Sequence, residues 1–252
     1  MNDDFEVKGK VYAFDSTTIY HCLSVFWWAK FRKAKGGIKI HTLYDITTQI
    51  PAFVHITDAK VHDVRAMDLI PYESAAYYIF DRGYVDYERL YRITQFGSYL
   101  VLRSKKGMQF ECSEHRTVDV STGVLSDQIG SLVGFKNSKQ YPGKFKKVVF
   151  YDVEMDRTFV FIPNNLELPS EQIALLYKNR WQIELFFKWI KQHLKIKSFW
   201  GTSENAVSIH INSAIITYCM VAIINQDLRL ERTTYEILTV LGVSLLDKTP
   251  VK

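Results

Sequence analysis

Short apolar runs alternate with turn-like polar clusters along the first hundred residues, a pattern of strands joined by turns. KVYAFD (Lys10–Asp15) is read as a strand that stops at its acid, before Ser16, Thr17 and Thr18. GIKIHTLYD (Gly37–Asp45) and PAFVHITD (Pro51–Asp58) read as two more strands across the turn TTQIP, and Val64–Pro71 as a short helix. AAYYIFD (Ala75–Asp81) is a further buried strand that ends at Asp81-Arg82-Gly83. Asp86–Gln95 reads as a helix and SYLVLRS (Ser98–Ser104) as a strand, which makes the pattern mixed α/β.

From residue 105 to about 168 the chain is polar and turn-rich, then gives VVFYDVE and RTFVFIP around Met155-Asp156, a β-hairpin in a β-rich insertion. Beyond Pro169 the period becomes helical. Ser170 is the expected N-cap, with Glu171 in the first turn, of one long helix running to about Ile196. A second helix is expected from Ser203 and carries the most apolar run, Ala214–Ile224. That run is shorter than the roughly 18 residues a membrane span needs, so it reads as a buried helix. The expected divisions are residues 1–104, the first part of a catalytic core; 105–168, the insertion; 169–202, a helix completing the core; and 203–252, a C-terminal helical region.

Composition adds limits. Hydrophobic residues make up 47% of the 252, enough for a sizeable core. The three cysteines, Cys22, Cys112 and Cys219, are widely spaced with no C-x-x-C pair. That argues against a disulfide framework and a zinc site, and suits a reducing cytosol. The acidic, polar start MNDDFEVKGK is not a signal peptide.

The formal charge of +5 is mild, but its placement is not. Between residues 178 and 197, Lys178, Arg180, Lys188, Lys191, Lys195 and Lys197 face only Glu184. Lys30, Arg32, Lys33, Lys35 and Lys39 form a second basic run, and Lys136, Lys139, Lys144, Lys146 and Lys147 a third. Trp27, Trp28, Trp181, Trp189 and Trp200 lie in or near two of these runs, with Trp189 expected in the core. Bases for phosphates with aromatics for stacking are what a DNA-handling surface needs.

Tyr177, Arg180, Glu184, Lys188 and Lys191 fall on one stripe of the expected long helix, beside an apolar stripe of Ile173, Leu176, Ile183, Phe187, Ile190 and Leu194. By spacing alone this is first a solvated face with an ion pair between Glu184 and Lys188. Asp15 and Asp81 each end an apolar run, and each alone reads as a turn or cap residue. Two such strands side by side would bring both carboxylates to one end of a sheet, and a helix acid would complete an oxygen-ligand set suited to two Mg²⁺ ions. His62, Asp63 and Asp86 are expected to lie outside that ligand set.

YKNRWQIELFFKWIKQ (Tyr177–Gln192) fits the pattern Y-x2-R-x3-E-x6-K and resembles the signature of the DDE transposases of the insertion sequence 4 family. VYAFDSTTI and YIFDRGYVDYERLY resemble that family's segments around its first and second catalytic Asp. WAKFRKAKGGIKIHTLYD and GTSENAVSIHINSAIITYCMVAI are similar to its members too, so the resemblance runs from about Val11 to Pro250. It implies a ribonuclease-H-like mixed sheet with a β-rich insertion and C-terminal helices. It implies a DNA transposase that cuts at insertion-sequence ends, whose freed 3′-OH attacks the opposite strand to give a hairpin and later attacks target DNA. Asp15, Asp81 and Glu184 would be catalytic and bind two Mg²⁺ ions, with Mn²⁺ able to substitute. Tyr177, Arg180, Lys188 and Lys191 would hold DNA phosphate, and Trp181 would brace an extruded base. Double-stranded transposon ends and target DNA would be the partners of a homodimer, in the bacterial cytoplasm at the nucleoid. Only fourteen residues precede Asp15, where family members carry a helical DNA-binding region, so end recognition is expected to lie outside this chain. The competing expectation is a truncated, catalytically silent DNA-binding protein that interferes with full-length transposase.

Overall fold

Strand β1 (Val11–Cys22) is the central element, and its side chains alternate between two buried faces. Val11 and Ala13 point into one core, while Tyr12 and Phe14 point into another. A strand buried on both faces needs cover on both sides, and the chain supplies it as layers of helix, sheet and helix. These observations come from a computed structural model that describes residues 6–22, 28, 30–32, 35–193, 199–230, 232 and 234–244.

The strands are β2 (Lys30–Arg32), β3 (Lys35–Asp45), β4 (Ile50–Asp58), β5 (Tyr77–Phe80), β6 (Tyr99–Arg103), β7 (Phe110–Arg116), β8 (Val124–Leu132), β9 (Lys144–Asp152) and β10 (Arg157–Pro163). With β1 they form one ten-stranded sheet in the order β2-β3-β1-β5-β6-β10-β9-β8-β7, with β4 paired to β3. β1, β5 and β6 are parallel and the other pairings are antiparallel. The β-rich stretch read from residue 105 onward continues this sheet through the pairing of β10 with β6. The hairpin between β9 and β10 turns at Asp156, whose φ is 46°.

On one face lie α1 (Asp63–Ala66), with a 3-10 turn after it, α2 (Tyr87–Gln95) and α3 (Phe135–Gln140). The other face carries α4 (Ser170–Lys178), α5 (Trp181–His193) and α6 (Glu204–Asp227), with α7 (Thr234–Ser244) beyond. Asp86 caps α2 by accepting from the Arg89 N–H, and Ser203 caps α6 by accepting from the Ala206 N–H.

Three details differ from the sequence reading. β1 does not stop at Asp15 but continues to Cys22, because Ser16-Thr17-Thr18-Ile19 still pair with β3. The expected long helix is two helices, broken at Asn179 and Arg180, where the backbone bonds Arg180 N–H to Tyr177 O and Gln182 N–H to Asn179 O close tighter turns. Its expected end near Ile196 lies outside the described residues. Ser170 is not the cap: Pro169 holds that position, and the buried Ser170 hydroxyl donates to Asp127 Oδ2 at 2.8 Å. α6 has 24 residues and is long and apolar enough to cross a membrane by length and composition alone. Its inner face, including Val207, Ile211, Ala214, Tyr218 and Ala222, is part of the core.

Two buried lysines correct the reading of the basic runs. Lys39 lies against Asp63 at 3.0 Å and donates to Val61 O. Lys146 pairs with Asp127 at 2.9 Å and donates to Leu168 O at 2.7 Å. Both are internal ties and neither offers charge to a phosphate. Trp27, Lys33, Lys195 and Lys197 lie outside the described residues, as do the side chains of Lys30, Arg32 and Lys35.

Beside Lys39, the His41 ring is 0% exposed. Thr57 Oγ1 donates to Asp58 O, so its oxygen accepts from His41 Nε2 at 3.0 Å. Nδ1 is left buried without a hydrogen-bond partner. Burial lowers the His41 pKa to about 4, from the usual 6.5 of a histidine. Below 6.5 the unfolded chain takes up a proton that the folded chain refuses until about 4. Stability therefore falls as pH drops through that window and is level above it. Urea melts at pH 7 and pH 5 should differ by about 2 kcal/mol through this residue. In His41→Gln that part of the slope should vanish; an unchanged slope would show that another group carries it.

Candidate active site

Strand pairing places the two aspartates. β1 and β5 are adjacent and parallel with Phe14 opposite Phe80, so Asp15 and Asp81 leave the pair side by side at the same end. Parity also matches. Asp15 follows Val11 and Ala13, and Asp81 follows Tyr77 and Ile79, on the face that α4 and α5 cover. That is why groups from those helices reach them. The Tyr177 hydroxyl donates to Asp81 Oδ1 at 2.9 Å. Arg180 Nη1 donates to Asp15 Oδ2 at 2.8 Å, and Nη2 donates to Glu184 Oε1. The guanidinium sits 5.7 Å from the Tyr177 ring centroid.

Arg180 thus joins Asp15 to Glu184 across the break between α4 and α5. The Glu184 side chain is 56% exposed and pairs one turn back with Arg180, not forward with Lys188. Burial pushes the Asp15 pKa up. Arg180 and the Ser16 N–H pull against that, and the charges of Glu184 and Asp81 add to it. Burial also works against ionised Asp81, but the Arg82 N–H, the Tyr177 hydroxyl and the charges of Arg180 and Arg103 outweigh it and hold its pKa low. Two adjacent carboxylates are thus driven apart in acidity, a pattern found at functional sites.

The donor set is all carboxylate oxygen, the chemistry a hard divalent cation selects. Among the described residues no three acids, histidines or cysteines are gathered closely enough to hold a metal ion as they stand, and the Arg180 guanidinium lies between Asp15 and Glu184. The positive charge within the group is the Arg180 guanidinium, whose Nε is buried without a hydrogen-bond partner. Carboxylates already neutralised by an internal cation are chemically suited to a hard divalent cation in its place.

The remaining expected contacts are spread along α5. The Lys191 ammonium donates to Thr17 Oγ1, two residues along β1 from Asp15. Lys188 is exposed, and Trp181 is 49% exposed beside Arg180. Trp189 is half-buried and meets Tyr218 edge-on at 5.0 Å. Trp28 is half-buried and donates to Thr202 O, while Trp200 is 94% exposed.

Sequence reasoning missed the groups behind Asp15. Ser16 donates its N–H to Asp15 Oδ1 at 2.8 Å and its hydroxyl to Asp63 Oδ1 at 2.6 Å. The Tyr84 hydroxyl lies 3.4 Å from Asp15 Oδ1. Their signal was adjacency: Ser16 follows the first acid, and Tyr84 closes the DRGY turn after the second. Asp63 stands one residue away from Asp15 through Ser16, and Asp86 is spent on capping α2.

The transposase DDE domain family matches residues 7–220. A Sinorhizobium fredii protein named as a transposase, y4zB, is 37% identical over 215 residues, which are 84% of this chain and 59% of that protein. A Geobacillus stearothermophilus protein named as the transposase for insertion sequence element IS5377 is 29% identical, over 82% of this chain and 54% of its own length. A Synechocystis protein named for insertion sequence element IS4SA is 28% identical, over 85% and 60%. The chain therefore spans little more than half the length of these relatives. Among solved structures, the cryo-EM structure of the piggyBac transposase synaptic complex with hairpin DNA matches with a TM-score of 0.54 at 10% identity, over 98% of this chain and 55% of that one. That likeness shows the fold, a ribonuclease-H-like mixed sheet with C-terminal helices. The family match covers most of the chain, and the chain belongs to the transposase DDE domain family.

Proposed function

We propose that this chain is the catalytic core of a cut-and-paste DNA transposase acting at insertion-sequence ends. Asp15, Asp81 and Glu184 are its catalytic acids. The observation that carries the reading is the in-register position of Asp15 and Asp81, each one residue past the parallel pairing of β1 with β5, with Glu184 tied to Asp15 through Arg180. Two Mg²⁺ ions, or Mn²⁺ in their place, held by these three carboxylates would supply Lewis-acid stabilisation of the attacking and leaving oxygens. The protein does the rest by placement. Tyr177 fixes the Asp81 carboxylate through its hydroxyl. Arg180, Lys188 and Lys191 neutralise the phosphates beside the cut, and the half-exposed Trp181 ring offers a stacking face for an unpaired base. The substrates are duplex transposon ends and target DNA, and the working form is a homodimer that pairs two ends at the bacterial nucleoid.

Pre-cut duplex ends made from the inverted repeats that border the gene, which spare the chain the recognition step, should undergo strand cleavage with the protein and Mg²⁺ or Mn²⁺ and stay intact in EDTA. Binding to a 30-base-pair duplex should weaken with salt with a log–log slope of about −2.7 for three phosphate contacts, steeper if Lys136, Lys139 and Lys144 also engage. Lys39 and Lys146 should add nothing. Metal-independent cutting, or a slope near zero, would count against the assignment.

A further inference from the structure

We infer that Arg180 is an internal counterion, which holds the place of a divalent cation among the acids and is released to the DNA phosphate when that cation binds. The inference rests on the active-site reading above and adds to it an order of events on one side chain.

Four observations point the same way. The guanidinium spends both terminal nitrogens on acids from different elements, Asp15 on β1 and Glu184 on α5. It therefore sits between groups that a cation would have to bring together. Its Nε is buried with no hydrogen-bond partner, so this resting place leaves one strong donor unsatisfied. A buried donor without a partner is costly, and a phosphate oxygen could take it together with an Nη in the two-pronged geometry arginine prefers. The tie to Glu184 is half in solvent, where an ion pair holds weakly and is readily exchanged. Finally, Arg180 lies at the break between α4 and α5, where tight turns replace the helical ladder, so it stands between two helices and not in the middle of one.

A side chain that can neutralise either the acids or a phosphate, but not both, couples the two ligands. A divalent cation that takes the acids releases the guanidinium for DNA, and DNA that takes the guanidinium vacates the acids for the cation. By linkage each must tighten the other by the same factor. A purely structural arginine would produce no such coupling.

Mn²⁺ titrated calorimetrically into wild type, Arg180→Gln and Arg180→Lys tests the first half. Arg180→Gln should bind Mn²⁺ about 10-fold or more tightly than wild type, within the usual span of coupling between sites. It should also melt at a lower temperature in EDTA, because Asp15 loses its counterion. Arg180→Lys, whose single ammonium reaches fewer acceptors, should fall between the two, and it serves if Arg180→Gln does not fold. The second half needs only wild type. Its affinity for a 30-base-pair duplex of unrelated sequence should rise about 5- to 150-fold from EDTA to Mn²⁺ at constant ionic strength, and this gain should shrink in Arg180→Lys. Equal Mn²⁺ affinities in folded wild type and variants, or a duplex affinity in wild type that ignores Mn²⁺, would overturn the inference while leaving the metal site standing. If no divalent cation binds wild type or either variant, the inference and the active-site reading fall together.

Discussion

A Lys146→Met variant is expected to lose about 3–5 kcal/mol of folding free energy, the range found when one partner of a buried ion pair is removed. The Lys146 side chain is 2% exposed and that of Asp127 is 9%. Methionine fills much the same volume, so the loss comes from charge rather than from a cavity. Asp127 would keep the Ser170 hydroxyl as donor and lose its counterion, while the Leu168 carbonyl would lose the ammonium. Water cannot easily replace either group at that depth. Domains of this kind are commonly stable by only about 5–15 kcal/mol, so the effect is a large part of the whole. The tie also joins β8 and β9 to the first turn of α4, the helix whose Tyr177 donates to Asp81. Urea unfolding of the variant measures the loss. Lys146→Met with Asp127→Leu should recover most of it, because replacing both charges by apolar groups removes the unpaired carboxylate. A single variant within about 1 kcal/mol of wild type would show that water already shares the pair.

Glu184→Gln should reduce metal-dependent strand cleavage by more than about 100-fold, beyond the 10- to 100-fold typical of groups that only support a metal ligand. The amide keeps the shape of the side chain and removes the charge that attracts a hard cation. Its effect on the fold should be small, under about 1 kcal/mol, because the pair with Arg180 is more than half exposed on the glutamate side. Duplex binding should hold or tighten, since a negative charge near phosphate is gone. Cleavage rates at fixed salt and Mg²⁺, and duplex affinities at the same ionic strength in EDTA, check both halves for folded Glu184→Gln. Near wild-type cleavage would remove Glu184 from the chemistry and with it the three-acid reading.

The strands were legible because their apolar runs are short and their turns carry Gly, Pro, Asp and Thr; nine of them lie where the pattern of runs and turns, or the change of character after residue 105, places β structure. The break at Asn179 and Arg180 was not. Neither residue is Gly or Pro, and tighter turns over three residues keep the side chains close to their helical bearing, so the stripe from Tyr177 to Lys191 reads as continuous. The buried lysines were illegible for another reason. Lys39 and Lys146 sit in basic runs that look like surface, and their partners Asp63 and Asp127 are distant in sequence and marked by no motif. Of the site, Asp81 showed as a strand end and Glu184 as the acid among bases, while Asp15, also read as a strand end, lies inside β1 just past its pairing with β5. What connects them could not be read from spacing, because it depends on which strands pair and on an arginine that turns inward instead of outward.

The matched exit of β1 and β5 sets how this chain tolerates changes in length. Removing one residue between Val11 and Phe14 would rotate every later position of β1 to the opposite side of the pleat. Asp15 would then face the layer of Met67 and Leu90, with the helices bearing Glu184 behind it. No side-chain substitution could repair that, since the error lies in the count of residues and not in their kind. The tip of the β9–β10 hairpin, Val153–Asp156, is exposed, but Glu154 pairs with Lys178 at 3.1 Å, two residues before Arg180, so extra residues there would pull on the break between α4 and α5 while leaving the β1–β5 register alone. The dozen residues around the first acid form a ruler that cannot be recut.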